Sequence, residues 1–135
     1  MATLDEACEK VVSQINGAIA CALVDLDSGF ALAQHDSERW GDAIHEAMST
    51  VALELFRGSR VTEVARALRE KLPTGGGPEH YFEEVQLTSP DHFYFAMVLP
   101  TGRCALLVVT KKTTNVGMGW AQLKKAAANL EEHAV

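Results

Sequence analysis

Asp25-Leu26-Asp27-Ser28-Gly29 is the group of oxygen ligands that first invites a chemical reading, and the chemistry it invites is calcium binding. The third oxygen ligand needed before the glycine is missing, and so is the distal glutamate. Set between two apolar runs, the five residues read instead as a hairpin turn, with Gly29 free to take a positive φ. Gly75-Gly76-Gly77 is not a phosphate cradle, because no Gly-Lys-Ser/Thr follows and no helix starts there. Pro73 to Pro78 reads as a mobile connection. Gly117 and Gly119, beside Lys111 and Lys112, offer amides that can hold an anion at a helix start. The competing reading is close packing at small residues next to a solvated basic strand end. The histidines, His35, His45, His80, His92 and His133, make no HExxH and no paired spacing with cysteine, so no metal site is expected. No GxSxG is present. His45-Glu46 and Glu83-Glu84 read as exposed charge more simply than as acid/base pairs. The expectation is a chain without catalytic residues, cofactor or metal.

Composition narrows the classes further. A chain of 135 residues is expected to form one domain over residues 1–135, with no need of disulfide staples. The hydrophobic share of 47% and charged share of 22% suit a soluble globular protein. A net charge of −6 argues against nucleic acid as the main partner, since phosphate neutralisation needs an excess of Lys and Arg. No apolar run approaches the ~20 residues of a membrane span. The start, MATLDEACEK, is acidic and lacks the basic opening of a signal peptide, so a cytoplasmic location is expected. Cys8, Cys21 and Cys104 are odd in number and each lies in an apolar pattern, which reads as buried reduced thiols.

The elements that must position these residues centre on Arg103 to Lys112. Cys104 to Val109 is an unbroken apolar run, too short for an ordinary helix and bounded by Pro100-Thr101-Gly102 and by Lys-Lys-Thr-Thr. That predicts a strand buried on both faces, with Cys104, Leu106 and Val108 on one side and Ala105, Leu107 and Val109 on the other. Thr3 to Gln14 reads as a helix with a capping-box start and a Leu4, Cys8, Val11, Ile15 stripe. Ala18 to Val24 is a second doubly apolar strand, with Ile19, Cys21 and Leu23 sharing a face. Phe30 to His35 returns as an edge strand. Asp42 to Arg57 is a helix whose main stripe is Ile44, Met48, Val51 and Leu55, widened by Ala47, Ala52 and Phe56. Gly58-Ser59 weakens that helix without having to end it. Val61, Ala65, Leu68 and Leu72 continue a helical pattern about 70° round from the first stripe, on a straight helix of ~3.6 residues per turn. Tyr81 to Thr88, His92 to Leu99 and the central strand form an antiparallel meander. A last helix starts near Asn115 and carries Val116, Trp120, Leu123, Ala127 and Leu130. Five antiparallel strands with helices on both faces pack this α+β list most simply.

Three stretches carry a family likeness. They are Gly17-Ala18 through Leu23-Val24-Asp25 to Gly29-Phe30-Ala31-Leu32-Ala33, the meander ending in Leu106-Leu107-Val108-Val109, and Asn115-Val116-Gly117 followed by Ala121 and Leu123. In these the chain resembles the Roadblock/dynein light-chain family, and in particular its bacterial MglB-like members. The resemblance implies an α/β/α layered, Roadblock/profilin-like sheet that pairs with a second copy. It also implies a non-enzymatic platform, the bacterial members acting on small Ras-like GTPases. It carries no catalytic residue set. The connection from Arg57 to Pro78 is longer than in the bacterial pattern.

Two functions follow as expectations. The first is a homodimeric platform that binds and regulates a small GTPase or a related signalling partner. Its dimer contact would use the edge strand at Tyr81, Val85 and Leu87 and the second helix at Leu55 and Val61. The second is a small-molecule sensor module, favoured if Phe93, Phe95 and Trp120 line a pocket.

Overall fold

The structure is a computed structural model that describes residues 3–71 and 82–130. In chain order the elements are α1 (Leu4–Gln14), β1 (Ala18–Asp25), β2 (Ala31–Asp36), α2 (Asp42–Arg57), α3 (Ser59–Lys71), β3 (Glu84–Thr88), β4 (His92–Val98), β5 (Cys104–Lys111) and α4 (Val116–Leu130). The strands form one antiparallel sheet in the order β2-β1-β5-β4-β3. The strand that is apolar on both sides therefore lies in the middle. It needs a layer on each face, and it has both.

One face is covered by α1 and α4. Cys104, Leu106 and Val108 of β5 pack there with Phe95 of β4, with Cys8, Val11 and Ile15, and with Leu123 and Leu130. Thr3 caps α1 by accepting the Glu6 amide at 3.1 Å, and Asn115 caps α4 by accepting the Met118 amide at 2.9 Å. Gly119 brings α4 close to the sheet, since a Cβ there would stand 3.1 Å from the Phe95 ring. The other face is covered by α2, with Ala22, Val24, Ala105 and Leu107 against Ala52 and Phe56.

Three expectations need correction. Ile19 does not share a face with Cys21 and Leu23. Ala18 pairs with Thr110 and Ala20 with Val109, so Ile19 is an extra residue in the ladder. That bulge turns Ile19 to the opposite side, against Ala20, Val109, Trp40 and Met48. The break at Gly58 also ends α2 outright. Gly58 takes φ −59 and ψ 153, an extended geometry, while its amide closes the helix on the Glu54 carbonyl. A side chain there would place Cβ 2.5 Å from that carbonyl oxygen. The helical pattern beyond it belongs to α3, a separate helix. The third correction, the face that α2 buries, belongs to the site. Leu72 and the Pro73–Pro78 connection lie outside the described residues.

Candidate functional site: an apolar groove beside an open sheet edge

The buried ridge of α2 is His45, Ser49, Ala52 and Phe56, spaced four, three and four apart. Two of these are polar, and both make local hydrogen bonds, although the buried His45 Nδ1 has no partner among the described residues. The His45 imidazole, 1% exposed, meets Asp36 Oδ2 at the end of β2 at 2.7 Å through Nε2. The Ser49 hydroxyl donates to the His45 carbonyl at 2.8 Å. Burial pushes the Asp36 carboxyl up, but the bonds from His45 and from the Trp40 amide outweigh it and hold it below the usual range. His45 is therefore a structural anchor and not an exposed charge beside Glu46.

Because that ridge faces inward, the more apolar one faces out. Ile44 and Val51 are 44% and 47% exposed, and Met48 and Leu55 are half-buried. This is the stripe that periodicity assigns to the core. The signal was visible, but amplitude alone cannot tell which of two adjacent ridges meets the sheet.

Beside the outward ridge lies β3, the last strand of the sheet. Its Gln86 side chain turns to the α4 face and accepts Trp120 Nε1–H at 3.1 Å. Val85 and Leu87 therefore turn to the α2 face. Together with Met48, Val51, Leu55 and Tyr94 they line a groove of about 470 Å³ whose floor is Ala96, Leu107 and Val109. Leu87 is 46% exposed. Of the interface residues expected from sequence, the structure brings Leu55, Val85 and Leu87 to this one groove. Val61 is half-buried on α3 and is not part of its lining, and Tyr81 lies outside the described residues. Met48 and Val51, which the sequence reading placed in the core stripe, join the site, as does Tyr94.

No model of a known protein family matches the sequence, and no curated protein matches it significantly. Solved structures do match. Myxococcus xanthus MglB superposes with a TM-score of 0.72 at 16% identity, over 96% of this chain and 92% of that one. A Roadblock/LC7 domain from Streptomyces avermitilis superposes with a TM-score of 0.70 at 13% identity, over 98% of each chain. A structure of MglB with tetrameric arrangement gives a TM-score of 0.69 at 19% identity, over 96% of this chain and 88% of that one.

The chain has the Roadblock/LC7 fold.

The remaining candidates fall into place on the Roadblock/LC7 frame. Asp25 spends its carboxylate on the β1–β2 turn, accepting the Ser28 hydroxyl at 2.7 Å and the Asp27 amide at 3.3 Å. The Ser28 bond leads the lowering of its pKa, and Gly29 takes φ +80 as the turn requires. Lys112 is turned away from the α4 start, donating to the Ser89 carbonyl at 3.1 Å with its ammonium 4.6 Å from the centre of the Phe93 ring. Phe95 and Trp120 pack edge to face at 5.1 Å, and Phe93 leans on Phe95 at 6.3 Å. These three rings fill the layer under α4. Cys8, Cys21 and Cys104 are free and buried. No group of three or more metal-ligating side chains occurs among the described residues. No helix among them is long and apolar enough to cross a membrane.

Proposed function

We propose that this chain is a dimeric, non-enzymatic platform that binds and regulates a small Ras-like GTPase or a related signalling partner. One observation carries the reading. The second helix of this Roadblock/LC7 fold leaves its most apolar ridge at the surface, next to an unpaired strand edge. An open edge without Lys or Pro is poorly defended, and pairing with its own copy is the simplest cover. A partner seated there buries Val51, Leu55, Val85 and Leu87 at once. The MglB likeness supports the choice of GTPases, which is the partner class the family resemblance implies, and one MglB structure is itself of a tetrameric arrangement. A cytoplasmic site of action fits such partners.

A second reading rests on the groove itself. At about 470 Å³ it lies within the roughly 300–1,000 Å³ of small-molecule sites, and its lining is almost wholly apolar. A sensor module would hold an apolar ligand there. Native mass spectrometry of protein purified from its host separates the two. A mass of two chains, with a co-purifying GTPase under gentle conditions, supports the platform. A single chain carrying a small bound mass supports the sensor. The purified protein should turn over neither GTP, ATP nor simple esters. Turnover that survives purification to homogeneity would overturn the non-enzymatic reading.

A further inference from the structure

The sheet has a second free edge, and its chemistry is opposite to that of β3. β2 closes the sheet at the far end. Along it runs an open groove of about 370 Å³ lined by Phe30, Leu32, Gln34, Asp5, Asp42 and Glu46, with the backbone at Ala31 and Ala33 between them. Phe30 is 66% exposed, the most of the large apolar side chains among the described residues, and Leu32 is 47% exposed. The three ionisable groups in the lining are all carboxylates, one on α1 and two on α2, so acid stands on both walls. Asp5 Oδ1 accepts the Gln34 amide at 3.1 Å, and Asp42 Oδ1 accepts the Gln34 side-chain amide at 2.8 Å. Each keeps a second oxygen for a partner. The Glu46 carboxylate makes no hydrogen bond or salt bridge among the described residues.

We infer that the β2 edge, with Phe30, Leu32, Asp5, Asp42 and Glu46, is a docking site for an extended segment of another protein in which apolar residues alternate with Lys or Arg. The apolar side chains of that segment rest on Phe30 and Leu32, and its cations meet the carboxylates. A second copy of this chain is a poor occupant, because pairing β2 with its own image brings two acidic clusters to one joint. The chain's charge of −6 adds a long-range attraction for a cationic segment and none for a copy. The Asp5 cap on the Gln34 amide also blunts β2 as a bare backbone template, so selection rests on side chains more than on ladder bonds. This site stands at the opposite end of the sheet from the groove proposed for the dimer, and it does not depend on that proposal.

The test uses the full chain, labelled with nitrogen-15, and two synthetic peptides. One alternates Val and Lys; the other carries Glu in place of Lys. The expected result is saturable binding of the Lys peptide with amide shifts at residues 30–34 and 42–46, no binding of the Glu peptide, and affinity that falls as salt rises. Glu46→Lys and Phe30→Ser, both at exposed positions, should each weaken binding about fivefold or more, the loss expected when one contributing interface side chain is removed. Unchanged thermal unfolding of each variant shows that the loss is local. Three results overturn the inference: no response at the β2 amides, shifts confined to the α2–β3 groove, or equal binding of the two peptides. A change in the oligomeric mass of Phe30→Ser also overturns it, because the edge would then be a self-contact.

Discussion

His45 occupies a buried position on the inward ridge of α2, and the reason an imidazole is held there is Asp36. Burying an imidazole costs least when its polar atoms find partners; Nε2 finds one at 2.7 Å, while Nδ1 finds none among the described residues. Asp36→Ala should lower unfolding free energy by about 1–3 kcal/mol, because it leaves Nε2 buried and unpaired. Urea denaturation of the variant checks this, and a loss near zero would show that water replaces the carboxylate. The depressed Asp36 pKa sets the pH direction. The unfolded chain takes up the proton first, so this contribution is present above about pH 4 and is lost as pH falls through the lower folded value. The wild type should therefore lose stability below pH 4 more steeply than Asp36→Asn. At the thiols the sign is opposite. Contact with Cys8 and burial push the Cys21 thiol well above its ordinary value, and burial pushes Cys104 up. Both should resist alkylation in the native protein until unfolding exposes them. Their share of stability is present below the unfolded thiol pKa and is lost as pH rises through the higher folded one.

At the scale of elements, strand content was legible because a strand buried on two sides admits few residue types. Cys104 to Val109 reads as central in the sequence and is central in the sheet, with its two faces sorted as alternation requires. What alternation misses is an inserted residue. Nothing about Ile19 as a residue type distinguishes a regular strand position from the bulge it occupies. The site was legible only in part for a related reason. Ile44, Met48, Val51 and Leu55 stand out as a stripe, but the stripe marks burial against something and does not say whether that something is the chain's own sheet. The answer lay in tertiary packing: α2 turns the ridge of His45, Ser49, Ala52 and Phe56 inward, and His45 meets Asp36, nine residues before it. The division of α2 from α3 was half legible, since Gly58 was visible and its close approach to the Glu54 carbonyl was not. Gly58→Ala should cost about 1–3 kcal/mol, as overpacking does, although its φ of −59 is one that alanine adopts freely. Circular dichroism through a thermal melt reads the loss. A neutral result would mean that α2 and α3 move apart to make room.

At the scale of the whole molecule, the two ends of the sheet are different kinds of surface. The β2 end is acidic on both walls. Among the described residues, the lining of the α2–β3 groove contains no charged side chain. Glu84 on β3 is held by Lys124 of α4 at 3.2 Å, which turns that carboxylate toward the chain's own helix. Self-association is thus electrostatically open at β3 and opposed at β2, so a closed pair joined at β3, with β2 at its outer ends, is the arrangement the charges permit. Antiparallel pairing of β3 with its own image would continue the ladder that β3 already makes with β4. The outward ridges of the two α2 helices would meet over the joint. Val51 is the discriminating residue, because it is 47% exposed and lines the groove, so a charge there leaves the chain's own core intact. Light scattering after size exclusion should give a dimer for the wild type at micromolar concentration. In Val51→Glu a carboxylate must be buried against an apolar copy, and dimer affinity should fall tenfold or more, about 1.4 kcal/mol at the least. The folded protomer should keep its far-ultraviolet spectrum. A Val51→Glu protein that stays dimeric would place the contact elsewhere. A wild type that is monomeric at tens of micromolar would assign the groove to a different partner chain.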